Sequence, residues 1–97
     1  MLQTDTTRAA QWRELRERIA ADPARRAELI AQEAKVIRRD IITTIDAARA
    51  GHIGGDLSVT DILATLYFGI LEIDPADPRG TDRDRFILSK GHCAAAL

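Results

Sequence analysis

The sequence contains one cysteine, Cys93, so no internal disulfide can form. A lone thiol is typical of a reducing compartment, and we expect a cytoplasmic protein. The N-terminal stretch "MLQTDTTRAAQWRELRER" is polar and arginine-rich and lacks the apolar segment of a signal peptide. No apolar run approaches the roughly 20 residues that span a bilayer, so no membrane association is predicted.

Aromatic residues make up only 4% of the 97 residues, which predicts a thin and mostly aliphatic core. The formal net charge is −1, which argues against a nucleic-acid-binding protein and against a disordered acidic tail. Residues 8–39 carry nine basic and five acidic side chains, whereas residues 40–84 carry three basic and nine acidic ones. This asymmetry is typical of solvated helix faces followed by an aspartate-rich loop.

Apolar spacing predicts three helices. The first runs to about Ala21, with Thr6 or Thr7 as its cap. The second runs from about Pro23 to Ala50 and stops at Gly51, because apolar residues recur along it at spacings of three and four. The third is "SVTDILATLYFGIL", where Ser58 and Asp61 form a capping pattern. Its apolar residues occupy more than one side, which is typical of a helix buried between neighbouring elements. This chain has few other elements that could cover both sides.

The C-terminal third predicts a loop followed by a strand, a turn and the start of a helix. Two Asp-Pro steps and a glycine make "EIDPADPRGTDRDR" a loop. Arg85 to Ser89 is an apolar segment of strand type, Gly91-His92 is a turn, and Cys93 to Leu97 begins a helix. Because a single strand cannot pair its own backbone groups, its partners must come from elsewhere. The element order predicts the opening of an α/β domain that is incomplete on its own.

Two stretches place a histidine beside glycine, namely "GHIGGD" and "SKGH". Glycines let a ligand approach the backbone, and His52 is expected on a tight corner between two helices. From residue types alone, a helix stop with an incidental surface histidine is the favoured explanation of the first stretch. His92 is expected where a strand ends and a helix begins, a position that favours phosphate, although a capping turn without a ligand is the alternative.

Other chemistries fit less well. "GHIGGD" lacks the Gly-Lys-Ser/Thr ending of a phosphate-binding loop and the spacing of a dinucleotide-binding motif. Two histidines 40 positions apart with one cysteine form no zinc-binding spacing. Cys93 follows His92, but neighbours in sequence need not have side chains that meet, and a catalytic role for this thiol is disfavoured.

Taken together, the residues from about Ile37 to Leu97 resemble the N-terminal, thiamine diphosphate-binding section of transketolase. The resemblance is closest to the N-terminal subunit of split transketolases, in which two chains make the enzyme. It rests on five ordered motifs: "RRDIITTIDAARAGHIGG", "LSVTDILATLYF", the "DP" loop, "DRDRF" and "LSKGH".

The resemblance implies transfer of a two-carbon ketol unit between sugar phosphates, with thiamine diphosphate and Mg²⁺ or Ca²⁺ as cofactors. It implies catalytic roles for His52 and His92, with His52 also binding substrate and His92 and Gly91 binding the cofactor. Imidazoles suit proton transfer because their ordinary pKa lies near neutrality. The family's Gly-Asp-Gly metal segment and its cofactor-binding glutamate match nothing here, so we expect no metal ligand in this chain. Complementary transketolase chains and a multimeric assembly are therefore implied, with no nucleic-acid or membrane partner.

On this resemblance, residues 1–22 form an N-terminal helical extension and residues 23–97 a partial diphosphate-binding domain. Three positions depart from common family patterns: Ile53 where proline is frequent, Asp56 where serine is common, and Cys93 where alanine is frequent. Asp56 adds negative charge near a cleft that would handle phosphate. Two alternatives remain open, namely a non-catalytic helical interaction module and a piece of another thiamine diphosphate enzyme such as deoxyxylulose-phosphate synthase.

Overall fold

The computed structural model describes residues 5–97, which fold mainly as helices. Helix α1 spans Thr6–Ala20, α2 spans Arg26–Ala48 and α3 spans Ile53–Thr65. A 3₁₀ turn, Pro23–Arg25, precedes α2, and a π-helical turn, Leu66–Ile70, extends α3. A second 3₁₀ turn, Gly91–Cys93, carries the C-terminal histidine.

The first helix is capped one residue earlier than predicted. The side chain of Asp5 accepts hydrogen bonds from the backbone N–H groups of Thr7 and Arg8. The prediction of Thr6 or Thr7 as cap is therefore wrong, because the carboxylate already satisfies the first free N–H groups of the helix. The predicted end near Ala21 is confirmed to within one residue.

The second helix agrees with its predicted apolar stripe. Ile30, Ala34 and Ile41 are buried along one face. Arg49 ends the helix in the left-handed conformation, with φ of 55°, and Gly51 follows at φ of 149°. The chain therefore turns over several residues rather than at Gly51 alone.

The third helix begins at Ile53, five positions before the predicted start. Residues 53–56 of the "GHIGGD" stretch are therefore the first turn of α3, and His52 immediately precedes the helix, at the predicted corner between two helices. Ser58 does not cap the helix, since its hydroxyl donates to the carbonyl oxygen of Gly55 at 3.0 Å within it. Glycine has a low helix propensity, but contact with the C-terminal turn overrides that preference here.

Helix α3 is buried on two sides, as its wide apolar face predicts. On one side Ala64 joins a cluster with Ile19, Ile30 and Ala34 from the first two helices. On the other side Val59 and Leu63 pack with Cys93 from the C-terminal turn. The helix therefore joins the N-terminal helices to the segment that carries His92.

Two arginines satisfy carbonyl oxygens at the far end of α3. Arg16 donates to the carbonyl oxygen of Tyr67 at 3.2 Å, and Arg26 donates to that of Gly69. Cations are favourable at this end of a helix, where the carbonyl groups lack helical partners. These bonds fix the end of α3 against the first two helices.

The predicted strand from Arg85 to Ser89 is not formed. Nowhere along residues 5–97 is a residue paired in a β-ladder, so the strand-turn-helix part of the fold prediction is not confirmed. Phe86 and Leu88 are half-buried against α3, whereas Ile87 is 88% exposed. The side chains alternate as in a strand, but these residues supply no second strand to pair with.

The aspartate-rich loop is predicted correctly and is closed by reciprocal hydrogen bonds. The backbone N–H of Asp84 donates to the carbonyl oxygen of Glu72 at 2.8 Å. In return, the N–H of Glu72 donates to the Asp84 carboxylate at 2.7 Å. The loop therefore returns the chain to α3 before the segment that leads to His92.

Within residues 5–97, one stretch, Ile53–Ile70, is long and apolar enough to cross a membrane by length and composition alone. Core helices of soluble proteins pass the same test, so a single such stretch is weak evidence. Asp56 and Asp61 lie within it, and it packs against α2. The expectation of no membrane association stays a prediction.

Candidate functional site

The structure brings His52 and His92 together although they lie 40 positions apart. Their ring centroids are 5.3 Å apart, and the ring planes meet at 74° in an edge-to-face arrangement. His52 precedes the first turn of α3, and His92 lies in the 3₁₀ turn Gly91–Cys93. Both side chains are exposed, so both imidazoles are accessible to a ligand.

Gly55 permits the close approach of these two segments. A Cβ atom at this position would lie 2.8 Å from the Cys93 sulfur and 3.1 Å from ring atoms of His92. A side chain at position 55 would therefore displace the histidine turn. Gly54 and Gly91 have open space where a side chain would project, so Gly91 leaves the backbone beside His92 accessible.

Asp56 is buried in the first turn of α3, which follows His52. One carboxylate oxygen accepts a hydrogen bond from the backbone N–H of Ala96 at 2.9 Å. The other, Oδ2, is buried and has no hydrogen-bond partner. The sequence marked Asp56 as a departure from serine but carried no sign of its contact with Ala96, 40 positions away.

Lys90 brings a positive charge to the same region. Its ammonium group donates to the Ser58 hydroxyl at 3.1 Å, which holds the lysine side chain against α3. Lys90 stands two positions before His92, in the quoted "SKGH" motif. The sequence analysis assigned Lys90 no role, although an ammonium group can donate hydrogen bonds to an anion.

Cys93 is fully buried and packs against Val59 and Leu63. A buried thiol in apolar surroundings is unreactive, since nucleophilic attack needs an accessible thiolate. The burial agrees with the sequence-based view that this cysteine is not a nucleophile.

The exposed groups fit an anionic ligand. Imidazole N–H groups and an ammonium group donate to phosphate oxygens. Residues 5–97 hold no cluster of three or more histidine, cysteine, aspartate or glutamate side chains that could bind a metal ion. The exposed imidazole and ammonium groups suit the phosphate part of a cofactor or substrate.

Comparison with known proteins identifies relatives. Residues 27–97 match the family described as transketolase, thiamine diphosphate binding domain. One subunit of an apulose-4-phosphate transketolase from Phocaeicola vulgatus is 44% identical over 70 residues, covering 72% of this chain and 25% of the relative. The 6-deoxy-6-sulfo-D-fructose transketolase subunit SqwG from Clostridium sp. is 44% identical over 68 residues, covering 70% and 25%. A transketolase from Cereibacter sphaeroides is 37% identical over 64 residues, covering 66% and 10%.

The chain spans about a quarter of the length of the subunit relatives that it matches and about a tenth of the longer transketolase. No solved structure matches the chain significantly. The similarity begins in α2 and includes both histidine-bearing segments and the loop between them.

Proposed function

The chain belongs to the transketolase family through its thiamine diphosphate-binding domain, and on that premise we propose that it is the N-terminal component of a two-chain transketolase. In this role it takes part in the transfer of a two-carbon ketol unit between sugar phosphates. The observation that carries the proposal is the edge-to-face contact of His52 and His92 at 5.3 Å, with both rings exposed.

Each histidine has a proposed task. His52 binds substrate hydroxyl groups and moves a proton there, and His92 donates to the cofactor diphosphate beside the accessible backbone of Gly91. Lys90 adds positive charge to the same region. Thiamine diphosphate, when bound, supplies carbanion stabilisation, whereas the protein supplies orientation and proton handling.

The remaining parts come from complementary chains in this proposal. The ligands of Mg²⁺ or Ca²⁺ belong to those chains, because the family's Gly-Asp-Gly metal segment has no match in this sequence. Two relatives are named as subunits of transketolases acting on apulose-4-phosphate or 6-deoxy-6-sulfo-D-fructose, which favours a partner chain and a sugar substrate here as well. We propose a cytoplasmic multimer, with residues 1–22 as an extension and residues 23–97 as part of the cofactor domain.

The test is calorimetry with thiamine diphosphate and Mg²⁺ as the probes. The isolated chain should show no measurable binding, and addition of the complementary transketolase chain should produce it. Micromolar binding by the chain alone would contradict the proposed division of the site.

A non-catalytic interaction module is the second candidate, and the exposed aliphatic side chains favour it. Ile62 in α3 is 61% exposed, Ile70 at the end of the π-helical turn is 55% exposed, and Ile87 is 88% exposed. In that case the histidines have no chemical role. Retained turnover by an assembled complex carrying His52→Ala would support this candidate.

A further inference from the structure

Asp56 is bonded to both segments that carry the histidines. Its backbone N–H donates to the carbonyl oxygen of His52 at 3.1 Å. Its side-chain Oδ1 accepts from the N–H of Ala96, four positions after His92, at 2.9 Å. The residue is 1% exposed, so these bonds are formed inside the protein.

The bond to Ala96 joins the residues that follow the Gly91–Cys93 turn to helix α3. The Ala96 N–H also reaches the carbonyl oxygen of Cys93, but at the longer distance of 3.2 Å. The carboxylate is therefore the nearer acceptor for the turn that follows His92.

The second carboxylate oxygen of Asp56 does not contribute to the stability of the fold. Oδ2 is buried without a partner, and a buried polar atom without a hydrogen bond lowers the stability of the folded state. Departures of this kind from good local packing are expected where a residue serves the site rather than the core. Asp56, which stands where serine is common in the family, is thus the residue whose hydrogen bonds join the two histidine segments.

We propose that Asp56 is a positioning residue that holds the His92 turn against the first turn of α3 and so sets the contact between the two imidazoles. It acts through the Ala96 N–H, while Gly55 leaves the space that His92 and Cys93 occupy. Any effect of Asp56 on catalysis rests on the proposed function, whereas its effect on the contact between the two imidazoles does not.

The test is NMR spectroscopy of the full 97-residue chain, with two readouts. One is the nuclear Overhauser cross-peak between ring protons of His52 and His92, and the other is hydrogen exchange of the Ala96 amide. Asp56→Asn retains a carbonyl oxygen at the Oδ1 position and should retain both signals. Asp56→Ser is too short to reach Ala96 and should lose the cross-peak, with the Ala96 amide exchanging about tenfold faster.

Thr60→Val is the matched control. Thr60 is fully buried on the same helix, and its hydroxyl donates to the backbone oxygen of Asp56 at 2.7 Å, a bond that stays within α3. This variant should be less stable than the parent chain but should retain the cross-peak. The size-matched variant Asp56→Leu replaces the serine variant if the latter does not fold.

Retention of the cross-peak in Asp56→Ser or Asp56→Leu, or its loss in Thr60→Val, would overturn the proposal. Both NMR signals are expected from the parent chain even if it takes no part in ketol transfer. Failure of the proposed function is therefore distinguishable from failure of the positioning role.

Discussion

At the scale of single residues, the site depends on glycines, which have no side chain, as much as on the histidines. Gly55 lies where any side chain would meet the Cys93 sulfur and the His92 ring. Gly54, its neighbour on the same helical turn, faces open space. The two glycines are adjacent in sequence but differ in what surrounds them, and this difference is testable.

Gly55→Ala should destabilise the protein by about 1–3 kcal/mol, because the added methyl group overpacks the contact with the C-terminal turn. Gly54→Ala is the matched control and should stabilise it by about 0.5–1 kcal/mol, since alanine is the better helix former. Urea denaturation followed by circular dichroism measures both effects. Equal stabilisation by the two substitutions would contradict the close packing at position 55.

At the scale of elements, exposed ion pairs connect the helices to one another and to the loop. Arg38 on α2 donates to the Asp61 carboxylate on α3 at 2.8 Å, and Arg13 on α1 donates to Asp74 in the loop at 2.8 Å. The hydrogen bond from Arg38 lowers the pKa of Asp61. The pKa of Asp74 is lowered first by the backbone N–H of Ala76 and then by Arg13.

These shifts predict a loss of stability in acid. A carboxyl group with a lowered folded-state pKa stabilises the fold fully above its unfolded pKa of about 3.9, and this contribution disappears as the pH falls through the folded pKa. The urea midpoint should therefore fall between about pH 5 and pH 2, and less steeply in the double variant Asp61→Asn/Asp74→Asn. The exposed Asp82→Asn is the control and should retain the parent slope. An identical slope in the double variant would contradict the role of the two pairs.

The elements themselves were predictable to different degrees. Helix α2 follows from its apolar spacing, because that face packs directly against α3. The start of α3 was missed, because Gly54 and Gly55 are poor helix formers and their turn is stabilised by contact with distant residues. No local signal connects His52 with His92 or Asp56 with Ala96. Only the resemblance to transketolase predicted that both histidines belong to one site.

At the scale of the whole molecule, the chain exposes more surface than a compact protein of its size. Its accessible area is 7054 Å², against roughly 5,500 Å² for a compact monomer of this mass. The excess is comparable to the surface that one partner buries in a stable protein–protein interface, about 800 Å² or more. This area supports the proposed assembly with complementary chains.

Ile87 offers a way to separate folding from assembly. Because it is 88% exposed, Ile87→Ser should leave the unfolding free energy of the isolated chain unchanged within about 0.5 kcal/mol. It should weaken binding of the complementary chain in analytical ultracentrifugation. Leu88→Ser is the contrasting variant and should destabilise the chain itself, since Leu88 packs against the cluster of Val59, Leu63 and Cys93. Unchanged assembly of Ile87→Ser would place the interface elsewhere.

The central claim is that His52 and His92 form part of a transketolase active site, and the most direct measurement is ketol-transfer turnover of the complex with its complementary chain. His52→Ala and His92→Ala should each lower kcat by about 100-fold or more, because each removes a group proposed to handle a proton or the cofactor. Lys35→Ala, at an exposed position on α2, is the control and should retain parent turnover. Turnover within about twofold of the parent in either histidine variant, with assembly intact, would contradict the account.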